Sequence, residues 1–201
     1  MINFKIAFMG QEMIDYVAYR KFVTLRNRTR VMFRFLTAQD RESLIKMFQE
    51  APDDDTRFLK QDVKDLKMVN YWVDHLNYQK VLPLVAVDLD NSRLVADATL
   101  HRGKHSTKHI GEIRIFVSRP FRNLGLGSLM LDELINLAMQ MNLQYLKAEI
   151  ISEHKKVIKA FRSKDFRVIC SFEDFFVRKD GVTHDVTLMI RPVLKADEAE
   201  F

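Results

Sequence analysis

A glycine-containing junction between a strand pattern and a helix pattern constrains the fold of this chain more than any other segment. Over residues 111–117 the aliphatic side chains fall on alternate positions, which predicts a strand with one apolar face. Between Ser128 and Met141, apolar residues surround a narrow polar stripe at helical spacing, which predicts a helix. Residues 145–151 alternate again and predict a second strand. Together these segments predict a βαβ unit, whose ligand is expected at the carboxyl end of the first strand.

The junction itself contains the pattern Arg-x-x-Gly-x-Gly, from Arg122 to Gly127. Its two glycines allow a tight turn and let a ligand approach the backbone closely. Free N–H groups at the start of the next helix, together with the helix dipole, form a site suited to pyrophosphate. Ser128 and Leu129 stand where a P-loop needs Lys-Ser/Thr, and Met130 stands where a dinucleotide fingerprint needs a third glycine. The pattern therefore indicates another class of phosphate ligand, with an ordinary glycine turn as the alternative.

The loop and its flanks resemble motif A of the GNAT acetyltransferases, in which Val and a short loop precede Gln/Arg-x-x-Gly-x-Gly/Ala. The similarity continues after the second strand, where this family has Asn-x-x-Ala, then an aromatic residue on the same helix, then Gly-Phe. Here His154 takes the Asn position and Val157 the Ala position, while Phe161 stands where Tyr is common and Asp165 replaces the glycine. Within the family, the Ala-Glu-Ile run and the N-terminal region look most like the GNAT domain of Pat-type protein lysine acetyltransferases.

The resemblance spans residues 111–166 and implies the GNAT fold, an α/β fold with a mixed, mostly antiparallel central sheet and helices on both faces. We expect a single GNAT domain over residues 20–192, preceded by an appendage at 1–19 and followed by a polar tail at 193–201. Patterns along the rest of the chain agree with such a sheet. They predict strands at 21–26, 30–36, 83–89, 94–100, 167–172, 175–178 and 182–190, helices at 38–49 and 63–79, and a loop at 52–55.

The resemblance also implies acetyl-CoA as the cofactor. The backbone of the first strand would pair with the pantetheine amides, and the N–H groups of the loop would hold the pyrophosphate. The cofactor-binding residues implied in this way are Ile115, Phe116, Val117, Arg122, Asn123, Leu124, Gly125, Leu126, Gly127, Ser128 and His154.

Acetyl transfer requires a neutral amine, and a lysine amine has a reference pKa near ~10.4, so a base or a water relay must remove its proton. Glu112 stands where many members of the family carry a catalytic Glu, which makes it the candidate base; a solvated Glu at a strand start is the alternative. Phe161 has no proton to give to the departing thiolate and is expected in the core. His154 is the second catalytic candidate, because its pKa lies near neutrality or because it hydrogen-bonds the pantetheine arm. A solvated His at a helix start is the alternative.

Three histidines, His101, His105 and His109, recur every four residues and would share one face of a helix, as in some metal sites. Gly103 and Gly111 bracket them between two predicted strands. We therefore expect a solvated loop there and no bound metal.

The charge, the hydrophobic runs and the cysteine count indicate where the protein is located and which partners it has. The formal net charge of +5 comes with basic runs that lack interleaved aromatics or a reader motif, so nucleic acid is not indicated as a partner. No apolar run approaches the ~20 residues of a membrane span, and the first residues lack a basic leader and a cleavage site. The single Cys170 excludes an internal disulfide and is expected as a buried, inert thiol in a reducing compartment. These features predict a cytoplasmic protein without a membrane partner.

The resemblance thus implies an acetyl-CoA-dependent N-acetyltransferase that works by direct attack of the amine in a ternary complex. The acceptor is open between a protein lysine, which the Pat-type features favour, and a small amine. A homodimer is also left open. Because the usual Tyr is absent, a catalytically weak acyl-CoA sensor or regulatory protein stands as the rival interpretation.

Overall fold

The computed structural model describes residues 14–178 and 180–193. Its strands are β1 (Lys21–Thr24), β2 (Arg30–Phe35), β3 (Val81–Asp88), β4 (Arg93–Arg102), β5 (Ile110–Val117), β6 (Tyr145–Ile151), β7 (Arg167–Val177) and β8 (Thr183–Pro192). Its α-helices are α1 (Arg41–Glu50), α2 (Asp53–Thr56), α3 (Leu66–Asp74), α4 (Leu126–Gln140) and α5 (Lys155–Arg162). The α/β class predicted from the sequence is confirmed.

The strands form one sheet in the order β1-β2-β3-β4-β5-β6-β8-β7. Every pair of neighbours is antiparallel except β5 and β6, which are parallel. A parallel pair needs a crossover connection, and here the glycine loop and α4 provide it. The mixed, mostly antiparallel sheet is therefore confirmed, with the βαβ unit at its centre.

Apolar layers cover both faces of the sheet. On one face α4 and α5 bury residues such as Met130, Leu134 and Phe161, the last of which is in the core as predicted. On the other face α1 and α3 bury Phe48 and Val69 in a second cluster. Helices on both faces are thus confirmed.

Three local predictions differ from the structure. The predicted loop at 52–55 contains α2, because Pro52 precedes it and three aspartates in its first turn complement the helix dipole. The predicted helix at 63–79 is shorter, since Asp65 caps α3 by accepting the N–H of Lys67 and the chain leaves helical geometry at His75. The predicted helix at 38–49 begins as a single 3₁₀ turn before α1.

The end of the sheet also differs. The predicted strands at 167–172 and 175–178 are one strand, β7, whose register to β8 shifts between Phe172 and Phe176. Asp174 has φ +50° inside that irregularity, which explains why the sequence alternation breaks there. Cys170 lies on β7 and is half-buried rather than buried, because β7 is an edge strand.

The predicted domain boundaries stay predictions. Residues 1–13 and 194–201, most of the predicted appendage and tail, lie outside the described residues. Tyr16 and Tyr19, within the predicted appendage, pack against Phe35: the Tyr16 ring meets it edge to face at a centroid distance of 5.5 Å, and the Tyr19 ring is tilted against it at 4.8 Å. In the described part of the chain, no helix combines the length and apolar character that a membrane crossing requires.

Candidate active site

The glycine loop lies beside an opening between β5 and β6. These parallel strands pair only from Ile110–Tyr145 to Glu112–Lys147. Beyond that point β5 continues to pair with β4 as far as Val117, and β6 pairs with β8 along its length. The second half of β5 therefore has one edge without a neighbouring strand, and its amide groups there are available to an extended ligand.

The backbone of the loop suits an anion. Asn123 has φ +60° and Gly125 has φ +92°, left-handed conformations of which the second strongly favours glycine. α4 begins immediately afterwards at Leu126, so the N–H groups of its first turn lack helical acceptors. A Cβ on Gly127 would lie 3.7 Å from Cγ2 of Val117, an ordinary contact, so packing alone does not require glycine there. The free N–H groups and the helix dipole suit the predicted pyrophosphate.

A buried carboxylate on α2 ties that helix to the loop. Arg122 donates from Nε to the carbonyl of Val117 at 2.9 Å and from Nη1 to Asp55 at 2.7 Å. Arg119 adds two hydrogen bonds to the same carboxylate, at 2.9 and 3.0 Å. The hydrogen bond from Arg119, reinforced by Arg122, lowers the pKa of Asp55 against the opposing effect of burial. The sequence did not reveal this contact, because nothing in it relates residue 55 to residue 122.

Glu112, the predicted base, lies at the point where β5 and β6 separate. Its carboxylate is ion-paired with Lys60 at 2.7 Å, and with Arg114 and Lys147 at 2.9 Å each. Burial opposes ionisation, but the hydrogen bonds from Lys60 and Lys147 outweigh it, and the pKa of Glu112 falls to about 2. A carboxylate with so low a pKa is a weak proton acceptor as long as these three cations surround it.

His154 lies across the opening from the loop, at the residue that precedes α5. Its ring meets Phe58 edge to face at 5.1 Å, and Phe58 makes a similar contact with His184 at 4.9 Å. Partial burial lowers the pKa of His154, so its imidazole is neutral at neutral pH. A neutral imidazole can donate or accept a hydrogen bond, as the predicted contact with a pantetheine arm requires.

The predicted cofactor residues lie together around the opening, in two groups. Ile115, Phe116 and Val117 form the end of β5, and residues 122–128 form the loop and the first turn of α4. Phe116 and Leu126 are buried in the core, so they offer backbone rather than side-chain groups to a ligand. Arg26 also lies beside the loop, since its Nε would be 3.9 Å from a Cβ on Gly125. Its guanidinium is therefore placed to attract an anion in the loop. Only a weak signal in the sequence marked this position, because Arg26 belongs to a basic run.

A cavity of about 780 Å³ lies on the opposite face of the sheet from α4. Its walls come from α1 and α3, with Phe48 and Trp72 among them, and its floor comes from β3, β4 and β5. Ile115 and Phe116 of the predicted cofactor strand also line it. The cavity thus borders the same half of β5 that leads into the glycine loop. A molecule bound in the cavity would therefore lie next to a ligand held in the opening.

Asp97, on β4, is the functional candidate that the sequence analysis missed. Its Cα is paired with that of Phe116, and its side chain lines the cavity. Burial raises the pKa of Asp97 to about 7, and among the described residues its carboxyl has neither a hydrogen bond nor an ion pair. The only available signal was one Asp between Ala96 and Ala98 in the predicted strand at 94–100.

The predicted solvated loop of histidines is wrong for one of its members. His101 lies on β4, where it lines the cavity and its ring nitrogen Nε2 is 2.9 Å from the Thr99 hydroxyl. Burial, with the nearby charge of Arg114, lowers its pKa to about 4. His105 and His109 lie in the connection from β4 to β5. Over residues 14–178 and 180–193, no group of three or more His, Cys, Asp or Glu side chains is arranged to hold a metal.

Comparison with known proteins agrees with this architecture. Three solved structures of similar fold are the GNAT domain of S. lividans PAT, a ribosomal-protein-alanine N-acetyltransferase from Brucella melitensis, and yncA, a putative acetyltransferase from Salmonella typhimurium solved with its cofactor acetyl-CoA. The PAT domain is 19% identical with a TM-score of 0.69, over 86% of this chain and 96% of that one. The Brucella protein is 22% identical with a TM-score of 0.69, over 80% and 98%. yncA is 19% identical with a TM-score of 0.71, over 85% and 98%.

The sequence itself matches the acetyltransferase (GNAT) family over residues 42–166. That match contains α1, the cavity floor, the strand pair with its opening, the glycine loop and α5. The segment is more than half of the chain, and it contains both the resemblance found in the sequence and the geometry around β5. The chain therefore belongs to the acetyltransferase (GNAT) family.

Proposed function

We propose that this protein transfers the acetyl group of acetyl-CoA to an amine, by direct attack of the amine in a ternary complex. The observation that carries this proposal is the unpaired half of β5, which runs directly into the glycine loop at the N-terminus of α4. Amide groups along the strand suit the pantetheine arm, and N–H groups of the loop suit the pyrophosphate. The cavity on the other face supplies room for the acceptor.

The residues have separable tasks in this reaction. The bound cofactor supplies the acetyl group; the C–S bond breaks as the N–C bond forms, and the amine loses one proton. The backbone of Ile115 to Val117 and the loop residues Arg122 to Ser128 would orient the cofactor, with His154 closing the other side of the opening. Such positioning lowers the activation free energy by several kcal/mol, because the two reactants no longer have to meet in solution.

Two carboxylates are candidates to receive the amine proton. Glu112 is the base predicted from the sequence, and this role requires Lys60 to withdraw, because the ion pairs hold its pKa near 2. Asp97 has a pKa of about 7, which suits proton transfer at neutral pH without any rearrangement of ion pairs. A water between the carboxyl and the amine would serve either residue.

A catalytically weak acyl-CoA sensor is the second candidate function. It is favoured by one observation, that Phe161 is buried in the core and offers no proton to the leaving thiolate. The Pat-type resemblance, with a protein lysine as acceptor, likewise stays a prediction, as does the cytoplasmic location; the oligomeric state stays open. Turnover with any amine would separate the enzyme from the sensor.

The test of the cofactor site compares two glycines that share a left-handed conformation. Gly125 has φ +92°, and Gly181, in the turn between β7 and β8, has φ +82° with no heavy atom within 4 Å of an added Cβ. Asp at either position costs roughly 1 kcal/mol of backbone strain. We expect Gly125→Asp to abolish acetyl-CoA binding in titration calorimetry and Gly181→Asp to retain it. Equal affinity in the two folded variants would overturn the cofactor site.

A further inference from the structure

We propose that the acceptor is a small molecule with a primary amine at one end and an anionic group at the other, held between Asp97 and the pair Lys80 and Lys104. The inference rests on the proposed acetyl transfer and names the acceptor class for the same site. It follows from the shape of the cavity, from a group of unpaired cations at one end and from a single carboxylate at the other.

The cavity has the size of a small-molecule site. Its volume of about 780 Å³ falls within the ~300–1,000 Å³ that is typical of such sites. Its walls are largely apolar and aromatic, including Leu44, Phe48 and Trp72. A protein lysine would bring only its narrow four-carbon stem into this space, so most of the wall would face no acceptor atom. The volume therefore favours a compact acceptor over a protein side chain.

A second, smaller cavity continues the first and is strongly basic. It shares Lys80, Val81, His101 and Lys104 with the main cavity. It adds Arg102, His105 and Lys108, and no carboxylate lines it among the residues that the structure describes. None of its four Lys and Arg side chains makes an ion pair within the described chain, although Arg102 Nη1 donates a hydrogen bond to Gln79 Oε1 at 3.5 Å. We call this part of the cavity the basic mouth, after its side chains Lys80, Arg102, Lys104 and Lys108. Four cations without an ion-pair partner among the described residues attract an anion there.

The cofactor phosphates do not account for these cations. Lys104 lies in the connection before β5, where Gly103 pairs with Ile110 at the first residue of that strand. The glycine loop follows Val117, at the other end of the same strand. Seven residues of strand separate the two ends by about 23 Å. The basic mouth is thus too far from the loop to share its anion and needs an anion of its own.

The amine end of the acceptor is marked by Asp97. It is the only carboxylate that lines the main cavity among the described residues, and its Cα is paired with that of Phe116, beside the opening. Besides Lys80 and Lys104, the Lys and Arg side chains that line this cavity are Lys60 and Arg114, and both of these are ion-paired with Glu112. Along β4, His101 at the basic mouth is four positions after Asp97, so the amine and the anion lie about 13 Å apart.

The experiment measures acetylation of matched acceptors by the 201-residue chain with acetyl-CoA. One series consists of ω-amino carboxylates of increasing length, a second of the corresponding ω-amino phosphonates, and a third of n-alkylamines of the same lengths. A lysine-containing peptide completes the panel. We expect at least a tenfold higher kcat/KM for one anionic series than for the alkylamines, with an optimum at intermediate length. The two anionic series distinguish a carboxylate from a phosphate-like group.

Variants assign that preference to the basic mouth. The double variant Lys80→Gln/Lys104→Gln should raise KM for the anionic acceptor about tenfold or more and leave the alkylamine nearly unchanged. The matched control is Lys46→Gln/Lys67→Gln, which removes two exposed lysines outside both cavities and should change neither. Circular dichroism and acetyl-CoA affinity of both variants establish that fold and cofactor site are intact.

The outcomes separate this inference from the proposed function. If acetyl-CoA binds and alkylamines or the peptide are acetylated best, with no effect of the Lys80 and Lys104 changes, the acceptor class is wrong while the acetyltransferase stands. If acetyl-CoA does not bind, or no amine in the panel is acetylated, the proposed function itself fails. A preference for anionic acceptors that both double variants retain equally would also contradict the basic mouth as its origin.

Discussion

Replacing Asp97 with Asn is expected to stabilise the protein by an amount that grows as the pH rises. Burial raises the pKa of Asp97 from 3.8 to about 7. Each unit of pKa difference corresponds to about 1.4 kcal/mol, so ionisation of this carboxyl costs the native state about 4 kcal/mol in full. Asn has the same shape and no charge, so it removes this cost.

The sign follows from the raised pKa. The unfolded chain releases the Asp97 proton at lower pH than the native protein does. Ionisation of Asp97 therefore takes no stability from the native state below about pH 4, and its full cost is reached once the pH has risen through about 7. At about pH 5 the cost to the wild type is about 1.6 kcal/mol, and at about pH 8 it is about 4 kcal/mol. The advantage of Asp97→Asn should therefore grow by about 2.5 kcal/mol between these two conditions.

Urea unfolding, followed by circular dichroism at both pH values, measures this change. The difference between variant and wild type cancels the contributions of the other titrating groups. Val17→Ala, which changes a largely exposed side chain without a titratable group, is the control and should show a difference that does not vary with pH. An Asp97→Asn effect that is the same at both pH values would refute the reasoning, because it would show that the carboxyl ionises as easily in the fold as in water.

Three further predictions concern the site. If Asp97 accepts the amine proton, the plot of kcat/KM against pH has an inflection near pH 7, and Asp97→Asn removes this inflection. If Glu112 accepts the proton instead, Glu112→Gln lowers the rate roughly 10²–10⁴-fold, and this loss of rate shrinks at high pH. Gly127→Asp should weaken acetyl-CoA binding about tenfold or more by calorimetry, because its carboxylate would repel the pyrophosphate; Gly127→Ala, whose Cβ meets only Val117, should keep this affinity and keep stability within about 1 kcal/mol. Unchanged affinity in Gly127→Asp would move the cofactor away from this turn. Asp55→Asn should lower the free energy of unfolding by about 2 kcal/mol, because Arg119 and Arg122 lose a charged acceptor; an unaltered urea midpoint would show that the α2 contact contributes nothing.

The βαβ unit could be predicted closely because its signals are local. The alternation in β5 and β6, the glycines of the loop and the periodicity of α4 each depend on residues close together in the chain. Phe161, which replaces the Tyr common in the family, was predicted in the core, and α5 buries it there together with Ile158. The helices α2 and α3 were predicted less well, since their ends depend on caps at Pro52 and Asp65 rather than on periodicity.

The electrostatics of the site could not be predicted, because they depend on contacts between distant segments. Glu112 was predicted as the base from its position in the strand, but Lys60, which helps to hold its pKa low, is 52 residues away in the chain. Asp97 gave almost no sequence signal, since a lone Asp in a strand does not reveal whether a partner faces it. His101 was grouped with two loop histidines by spacing, while the extension of β4 to Arg102 carries it into the cavity.

The central claim is that the opening beside β5 and the glycine loop bind acetyl-CoA for transfer to an amine. Mass spectrometry of a single turnover tests it most directly, with acetyl-CoA, a panel of primary amines, the wild type and the Gly125→Asp variant. We expect the wild type to form one acetylated amine for each free CoA that it releases, and the variant to form neither product above background. Release of CoA without an acetylated amine, or equal yields from both proteins, would contradict it.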